Sequence, residues 1–164
     1  MSRRVQLIVV ALAIAGAALW WWRGGSSAER EVRALFAGFA REFNSGASDG
    51  IGLLARAAHI GDYFTPDVVI ELGQGSPPIQ GRETLMGMAS RLQPRTSAFV
   101  LEFDDVNVEF ADPDHGEVTF TALFRRRSQG SGEESIDARE FAGDVVRASG
   151  RWRVSKVTAI DKLR

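Results

Sequence analysis

The feature that most constrains the fold of this chain is a change of hydrophobic period near Pro94. Before it, apolar residues recur every three or four positions, as on amphipathic helices. After it, apolar and polar residues alternate, which is typical of strands that bury one face. Helices followed by long strands predict an α+β fold in which the helices cover one face of a curved antiparallel sheet.

Three helices are expected before Pro94. The first carries the apolar stripe Val32, Leu35, Phe36, Phe39 and Phe43 and ends at about Asn44. The second runs from about Ile51 to Tyr63, with Arg56, His59 and Tyr63 on the face away from its apolar residues. The third runs from about Arg82 to Leu92, with Leu85 and Met88 turned inward.

Between the second and third helices, the residue types predict a turn, a strand and a loop. Thr65–Pro66–Asp67 is the turn, because the residue before proline avoids the helical region. Val68 to Leu72 is a short strand rich in β-branched residues, and Gly73 to Gly81 is a loop. Gly81 provides an unusual backbone angle at the loop exit.

Four long strands should follow, and the first of them contains a change of parity. Two apolar sets flank Asp104–Asp105, namely Phe99, Leu101 and Phe103 before it and Val106, Val108 and Phe110 after it. These sets fall on one face only if the strand carries an extra residue, so the sequence predicts a β-bulge at Asp104–Asp105.

A stretch of 18 uncharged residues, Val5 to Trp22, lies near the start. As a helix it would be about 27 Å long, close to the ~30 Å hydrocarbon core of a bilayer. Trp20, Trp21 and Trp22 occur where an interfacial aromatic belt is expected. We therefore expect a single-pass inner-membrane protein with its C-terminal domain in the periplasm or outside the cell. The alternative is a secreted domain released by cleavage of a signal sequence near Ser26–Ala28.

Composition excludes several classes of function. Without Arg3, Arg4 and Arg23, 17 Lys and Arg face 21 Asp and Glu, a formal charge of −4 that argues against nucleic-acid binding. The chain has no cysteine, so disulfides and thiol chemistry are excluded. The two histidines, His59 and His115, are far apart, and no spacing predicts a metal site. No cofactor fingerprint is present.

Two segments resemble the nuclear transport factor 2-like superfamily, which includes the SnoaL-like polyketide cyclases and the ketosteroid isomerases. They are FTPDVVIELGQGSPPIQGRETL (Phe64 to Leu85) and GRWRV (Gly150 to Val154). The resemblance implies a cone-shaped domain with a pocket at its wide end. The predicted organisation is a cytoplasmic tail (1–4), a transmembrane helix or signal sequence (5–22), a linker (23–28) and one domain of this superfamily (29–164).

The catalytic residues of ketosteroid isomerases are not matched. Their general base falls on Leu72, their tyrosine donor on Phe39, and their second acid on Arg139 or Phe141. Leucine and phenylalanine cannot transfer a proton or donate a hydrogen bond, so that chemistry is not expected. The predicted pocket is lined by Phe39, Phe43, Leu72, Met88, Phe103 and Phe141.

Three acids remain to be placed. Alternation puts Glu71 on the face opposite Leu72, at the surface or a dimer interface. Glu140 faces inward if Ile136, Ala138 and Ala142 are buried, whereas Asp137 faces inward if Phe141 is buried, and period alone leaves both open. Arg139 and Asp137 are expected to form a cross-strand charged pair rather than a site.

The sequence therefore favours a membrane-anchored, non-catalytic domain that binds a small apolar ligand or serves as an envelope assembly module. It could form a homodimer through the open face of the sheet. The alternative is a SnoaL-like isomerase, cyclase or hydratase that uses Glu140 or Asp137.

Overall fold

The computed structural model describes residues 27–45, 50–73, 75–91, 97–128 and 134–160. The elements in these residues are α1 (Ser27–Asn44), α2 (Gly50–Gly61), β1 (Phe64–Glu71), β2 (Ile79–Gln80), α3 (Arg82–Arg91), β3 (Ser97–Asp112), β4 (His115–Ser128), β5 (Glu134–Ala148) and β6 (Arg151–Ala159). The α+β order that the change of period predicts is confirmed. Helices α1 and α3 begin and end within a few residues of their expected bounds.

The chain divides into two compact units, Met1–Glu31 and Val32–Arg164. Among the described residues, the first unit holds the beginning of α1, and the second holds the rest of α1 and every other element. The segment 5–22, where a membrane span is predicted, lies outside the described residues. No helix within them has both the length and the apolar character that crossing a bilayer demands.

The six strands form one curved sheet in the order β2-β1-β6-β5-β4-β3. The four long strands form an antiparallel meander, and β2 pairs antiparallel with β1. The prediction of a wholly antiparallel sheet is wrong at one place, since β1 and β6 are parallel. The meander begins with β3 at the edge of the sheet and ends with β6 beside β1. Strands β6 and β1 run in the same direction.

Within the described residues, helices cover one face of the sheet and leave the other face open. We call the face that carries Phe103, Phe120 and Phe141 the inner face, and the other the outer face. Phe36 of α1 packs on the inner face, with its ring centroid 4.9 Å from that of Phe120 and 5.3 Å from that of Phe103. Val32 of the same helix is fully buried. The predicted apolar stripe of the first helix therefore contacts the sheet.

The predicted β-bulge is present in β3. Asp104 pairs with Thr121 and Asn107 with Thr119, so β3 advances three residues while β4 advances two. Asp105 has a positive φ of 52°, which a short polar side chain tolerates better than a β-branched one. As a result Phe103 and Val108 both lie on the inner face, opposite Ala122 and Val118 respectively.

Strand β1 begins four residues earlier than expected. Thr65–Pro66–Asp67 was predicted as a turn, but these residues lie within β1, whose pairing with β6 is irregular between Phe64 and Val69. An irregular stretch tolerates proline because no ladder hydrogen bond is required there. Gly81 has the predicted unusual backbone angle, with φ of 82°. The loop before it contains the short strand β2, which the sequence did not predict.

The side chain of Asn44 joins the end of α1 to the edge of the sheet. Its amide nitrogen donates to the carbonyl of Leu101 at 2.9 Å, and its amide oxygen accepts from the backbone N–H of Leu101 at 2.8 Å. Strand β3 is an edge strand, so this amide replaces a neighbouring strand at one residue. The pair of bonds fixes α1 over the inner face.

Candidate functional site

Aromatic side chains from α1, β1 and the inner face of the sheet meet in one cluster. Phe39 of α1 lies at its centre, with ring centroids 5.4 Å from Phe64, 5.6 Å from Tyr63 and 5.9 Å from Phe103. The contacts with Phe64 and Tyr63 are edge-to-face, the arrangement that aromatic quadrupoles favour. Phe120 and Phe141 stack at 5.5 Å on the adjoining strands β4 and β5.

A cavity of about 190 Å³ lies beside this cluster. Its lining consists of hydrocarbon side chains and one phenol, contributed by α1, α3, the strands and the residues directly before and after β1. The lining residues are Leu35, Phe36, Phe39, Phe43, Tyr63, Phe64, Ile70, Leu72, Leu85, Leu101, Phe103, Phe120, Ala122, Phe124, Phe141, Val154 and Val157.

Five of the six residues predicted to line the pocket do line it, namely Phe39, Phe43, Leu72, Phe103 and Phe141. Met88 does not, and it is 45% exposed. Helix α3 packs on α2 through Met86, whose Sδ lies 2.6 Å from where a Cβ on Gly61 would stand. Met88 is two residues, about 200°, further round the helix, so it turns toward solvent, and Leu85 reaches the cavity instead.

The positions that correspond to the catalytic residues of ketosteroid isomerases do border the cavity. Phe39, Leu72 and Phe141 are all lining residues, whereas Arg139, the other candidate for the second acid, is not. Each of the three lining positions carries a side chain with no titratable group, so none of them can act as a general acid or base.

The strand pairing places Glu140 and Asp137, which sequence periodicity left open, and also Glu71. Glu140 pairs with Thr121, and Phe141 pairs with Phe120, so Glu140 lies on the outer face. Asp137 pairs with Phe124 and lies on the inner face, with 64% of its side chain exposed. Glu71 pairs with Thr158 on the outer face and accepts a hydrogen bond from its hydroxyl at 3.1 Å. The inward alternative for Glu140 is excluded by this register.

Arg139 and Asp137 do form a charged contact, with Nε of Arg139 3.6 Å from Oδ2 of Asp137, but it lies within β5 and not across two strands as predicted. They are two residues apart on β5 and therefore share the inner face. The pair lies beside the cavity rather than within its lining.

Tyr63 is one of the cavity residues that the predicted lining does not include. The sequence predicts it on the second helix, on another face than the apolar residues, but α2 ends at Gly61, and Tyr63 lies in the turn before β1. Its hydroxyl is 3.0 Å from where a Cβ on Gly38 would stand, so it packs tightly against α1. Burial raises the pKa of the Tyr63 phenol, and the nearby Glu42 carboxylate raises it further. The phenol therefore stays protonated, and it makes a poor proton acceptor.

The described residues contain no group of three or more His, Asp or Glu arranged to hold a metal ion. Nδ1 of His59 is 3.5 Å from the Glu42 carboxylate, on exposed surfaces of α1 and α2. His115 pairs with Asp112 at 2.9 Å in the turn between β3 and β4. Each histidine thus contacts one carboxylate in its own part of the surface.

Residues 25–158 match the SnoaL-like domain, and the chain belongs to this family. The match confirms the resemblance to the nuclear transport factor 2-like fold that the two sequence segments indicate. No curated protein matches the chain in sequence.

Several solved structures have the same fold. A candidate scytalone dehydratase from Novosphingobium aromaticivorans is 10% identical, with a TM-score of 0.66 over 82% of this chain and 83% of its own. ActVI-ORFA from Streptomyces coelicolor is 12% identical, with a TM-score of 0.67 over 82% of this chain and 97% of its own. A ketosteroid isomerase-like protein from Erwinia carotovora atroseptica is 15% identical, with a TM-score of 0.60 over 84% and 99%. At such identities the similarity establishes the fold alone.

Proposed function

We propose that this SnoaL-like domain is a binding domain for a small apolar molecule and that residues 5–22 attach it to a membrane. The observation that supports binding over catalysis is the chemistry of the cavity lining. Phe39 and Leu72 occupy positions where ketosteroid isomerases carry a tyrosine and an acid, Phe141 is one of two candidates for the position of their second acid, and all three residues line the cavity. Burial of an apolar ligand in an apolar cavity is favourable because it removes apolar surface from water. Such a lining has no group that could transfer a proton to or from the ligand.

The cavity volume limits the size of the ligand. At about 190 Å³ the cavity is smaller than the ~300–1,000 Å³ of typical drug-sized sites. Dry apolar cavities of about 150 Å³ hold a single benzene ring. The ligand is therefore a one-ring aromatic, a short hydrocarbon chain or a molecule with one such part.

Toluene titration of the full-length protein in lipid nanodiscs tests this proposal, with empty nanodiscs subtracted. Ala122 is 3% exposed and lines the cavity, so Ala122→Leu should fill the space and abolish saturable binding. Ala138 lies on the outer face of the adjoining strand, opposite Leu123, and Ala138→Leu is the matched control. Equal toluene binding by all three proteins, each folded by circular dichroism, would refute the proposal.

The membrane attachment rests on the sequence of 5–22 and on the two arginines before it. Fusion of a periplasm-dependent reporter after Arg164 should give an active reporter, and a cytoplasm-dependent reporter should be silent there. The reverse pattern would end the topology proposal. The mass of the membrane-bound protein distinguishes an anchor from a signal sequence, because a cleaved signal would remove about the first 28 residues.

The second candidate function is a SnoaL-like isomerase, cyclase or hydratase. Of its two proposed acids, Asp137 has the better position, because it lies on the inner face whereas Glu140 lies on the outer face. We expect no isomerisation of 3-oxo-Δ5 steroids above background, since a missing base alone typically costs about 10²–10⁴-fold. Turnover that Asp137→Asn abolishes and Glu140→Gln retains would favour the enzyme.

An assembly role would use the outer face. Val100, Arg125 and Ile136 form one row across β3, β4 and β5 there, and Ile136 is 56% exposed. The partner we propose is a second copy of this chain, bound through the outer face to form a homodimer. Ile136→Lys should then shift the protein from dimer to monomer in sedimentation equilibrium, and a monomeric wild type would refute the dimer.

A further inference from the structure

The cavity opens at one end of the inner face. Phe120, Ala122 and Phe141 are almost fully buried, but two other lining residues, Leu72 and Phe124, are 38% and 37% exposed. Phe124 follows Ala122 along β4 in the direction of the exposed strand end. The mouth of the cavity therefore lies where Leu72 and Phe124 meet solvent.

Charged side chains stand at this mouth on the inner face. Arg139 of β5 pairs with Ala122, and Asp137 pairs with Phe124, so both lie beside the last lining residues of β4. Arg126 lies one inner-face position beyond Phe124 and is exposed. The three side chains carry two positive charges and one negative charge, so the strands at the mouth are net positive.

The contact between Arg139 and Asp137 is weak enough for another anion to replace it. The 3.6 Å separation exceeds the length of a hydrogen bond. The side chains of Arg139 and Asp137 are 42% and 64% exposed, and exposed ion pairs are screened by water. A guanidinium can receive a carboxylate through two parallel hydrogen bonds, which is a stronger arrangement than the present contact.

We propose that the ligand is a small amphipathic carboxylate whose ring or short chain fills the cavity and whose carboxylate binds Arg139, with Arg126 adding to the positive field. This inference rests on the proposed binding function. The lining offers no position for a charged group, because its one polar side chain, Tyr63, packs its hydroxyl against Gly38. The polar end of any ligand must therefore leave through the mouth, where a carboxylate meets guanidinium groups.

Three probes with the same apolar body test the inference, namely 4-methylbenzoate, 4-methylbenzyl alcohol and 4-methylbenzylammonium. Binding is measured by calorimetry on the full-length protein in nanodiscs of neutral lipid. We expect the wild type to bind 4-methylbenzoate about tenfold more tightly than the alcohol, and the ammonium compound most weakly. Arg139→Gln should abolish this preference and leave alcohol binding unchanged, and Asp137→Asn should strengthen benzoate binding.

Arg125→Gln is the matched control, because Arg125 lies on the outer face of β4, where it pairs with Glu102 at 2.9 Å. It should leave the affinities for all three probes unchanged. Equal binding of benzoate and alcohol by the wild type, or a benzoate preference that survives Arg139→Gln, would overturn the carboxylate inference while the apolar site stands. Failure of every probe and of toluene to bind would overturn the proposed function itself.

Discussion

The two halves of strand β5 differ, although they belong to one continuous strand. From Glu134 to Arg139 every side chain is exposed, whatever its direction. From Phe141 to Val145 buried and less buried residues alternate. The alternation appears where the inner face is covered, as at Phe141, which stacks on Phe120 beside α1. The covered half holds the fold together, and the uncovered half borders the mouth of the cavity.

The largest expected loss of stability follows from truncating a buried side chain at the covered end of the sheet. Trp152 of β6 is 4% exposed, lies opposite Arg147 of β5, and packs its ring 5.4 Å from Phe110. Trp152→Ala should lower the free energy of unfolding by about 3–5 kcal/mol, as buried aromatic truncations do. Urea denaturation of the full-length protein measures this change.

Ile136→Ala in the uncovered half of β5 is the control for Trp152→Ala. Ile136 is 56% exposed in a single copy of the chain, so at protein concentrations where the chain is monomeric its truncation should change the free energy of unfolding by no more than about 0.5 kcal/mol. Similar losses at Trp152 and Ile136 would show that the two halves of the sheet do not differ in the way described.

A smaller effect is expected at Gly143 of β5, where the backbone of β6 lies close by. A Cβ on Gly143 would stand 2.6 Å from the backbone carbonyl oxygen of Lys156, a contact that only a backbone shift can relieve. Gly143→Ala should therefore destabilise the protein by about 1–3 kcal/mol in the same urea assay. Gly87 of α3 has open space at its Cβ position, so Gly87→Ala should stabilise by about 0.5–1 kcal/mol. A neutral Gly143→Ala would show that the two strands can separate freely.

Strands β3 and β5 show which features of the fold could be predicted from the sequence and which could not. The bulge at Asp105 was predictable, because six large apolar residues on one strand demand a common face. The direction of the Glu140 side chain was not predictable. Ile136 and Ala138 lie on the outer face of the exposed half, and their apolar character is the same as that of residues on a buried face. The burial of a strand depends on which helix covers it, and that is a property of tertiary structure.

The other errors have similar causes. The parallel pairing of β1 with β6 joins residues that are about ninety positions apart, and local periodicity carries no signal for it. The direction of the Met88 side chain depends on the rotation of α3 about its axis, and the contact between Met86 and Gly61 fixes that rotation. Tyr63 was missed because a helical face was extended past the end of α2. The cavity positions named in the sequence analysis came from the family resemblance, because local periodicity carries no long-range placement.

The smallest expected effect lies in the turn between β3 and β4. Asp112 accepts a hydrogen bond from the backbone N–H of Asp114, and this bond, together with His115, holds the pKa of Asp112 below its ordinary value of 3.8. A lowered pKa in the folded state stabilises the fold at neutral pH, and the contribution is lost as the pH falls through that lowered pKa. Asp112→Asn should therefore destabilise slightly at pH 7, and the difference should vanish in strong acid. A difference that grew on acidification would contradict this account.

The central claim is that an apolar molecule occupies the cavity on the inner face, and intermolecular nuclear Overhauser effects from toluene test it most directly. The full-length protein, with labelled alanine and leucine methyl groups, is saturated with toluene in deuterated detergent. Ala122 lines the cavity, whereas Leu123, its neighbour on β4, points to the outer face. We predict a cross-peak from the toluene ring to the Ala122 methyl and none to the Leu123 methyls. A cross-peak to Leu123 without one to Ala122 would contradict the account.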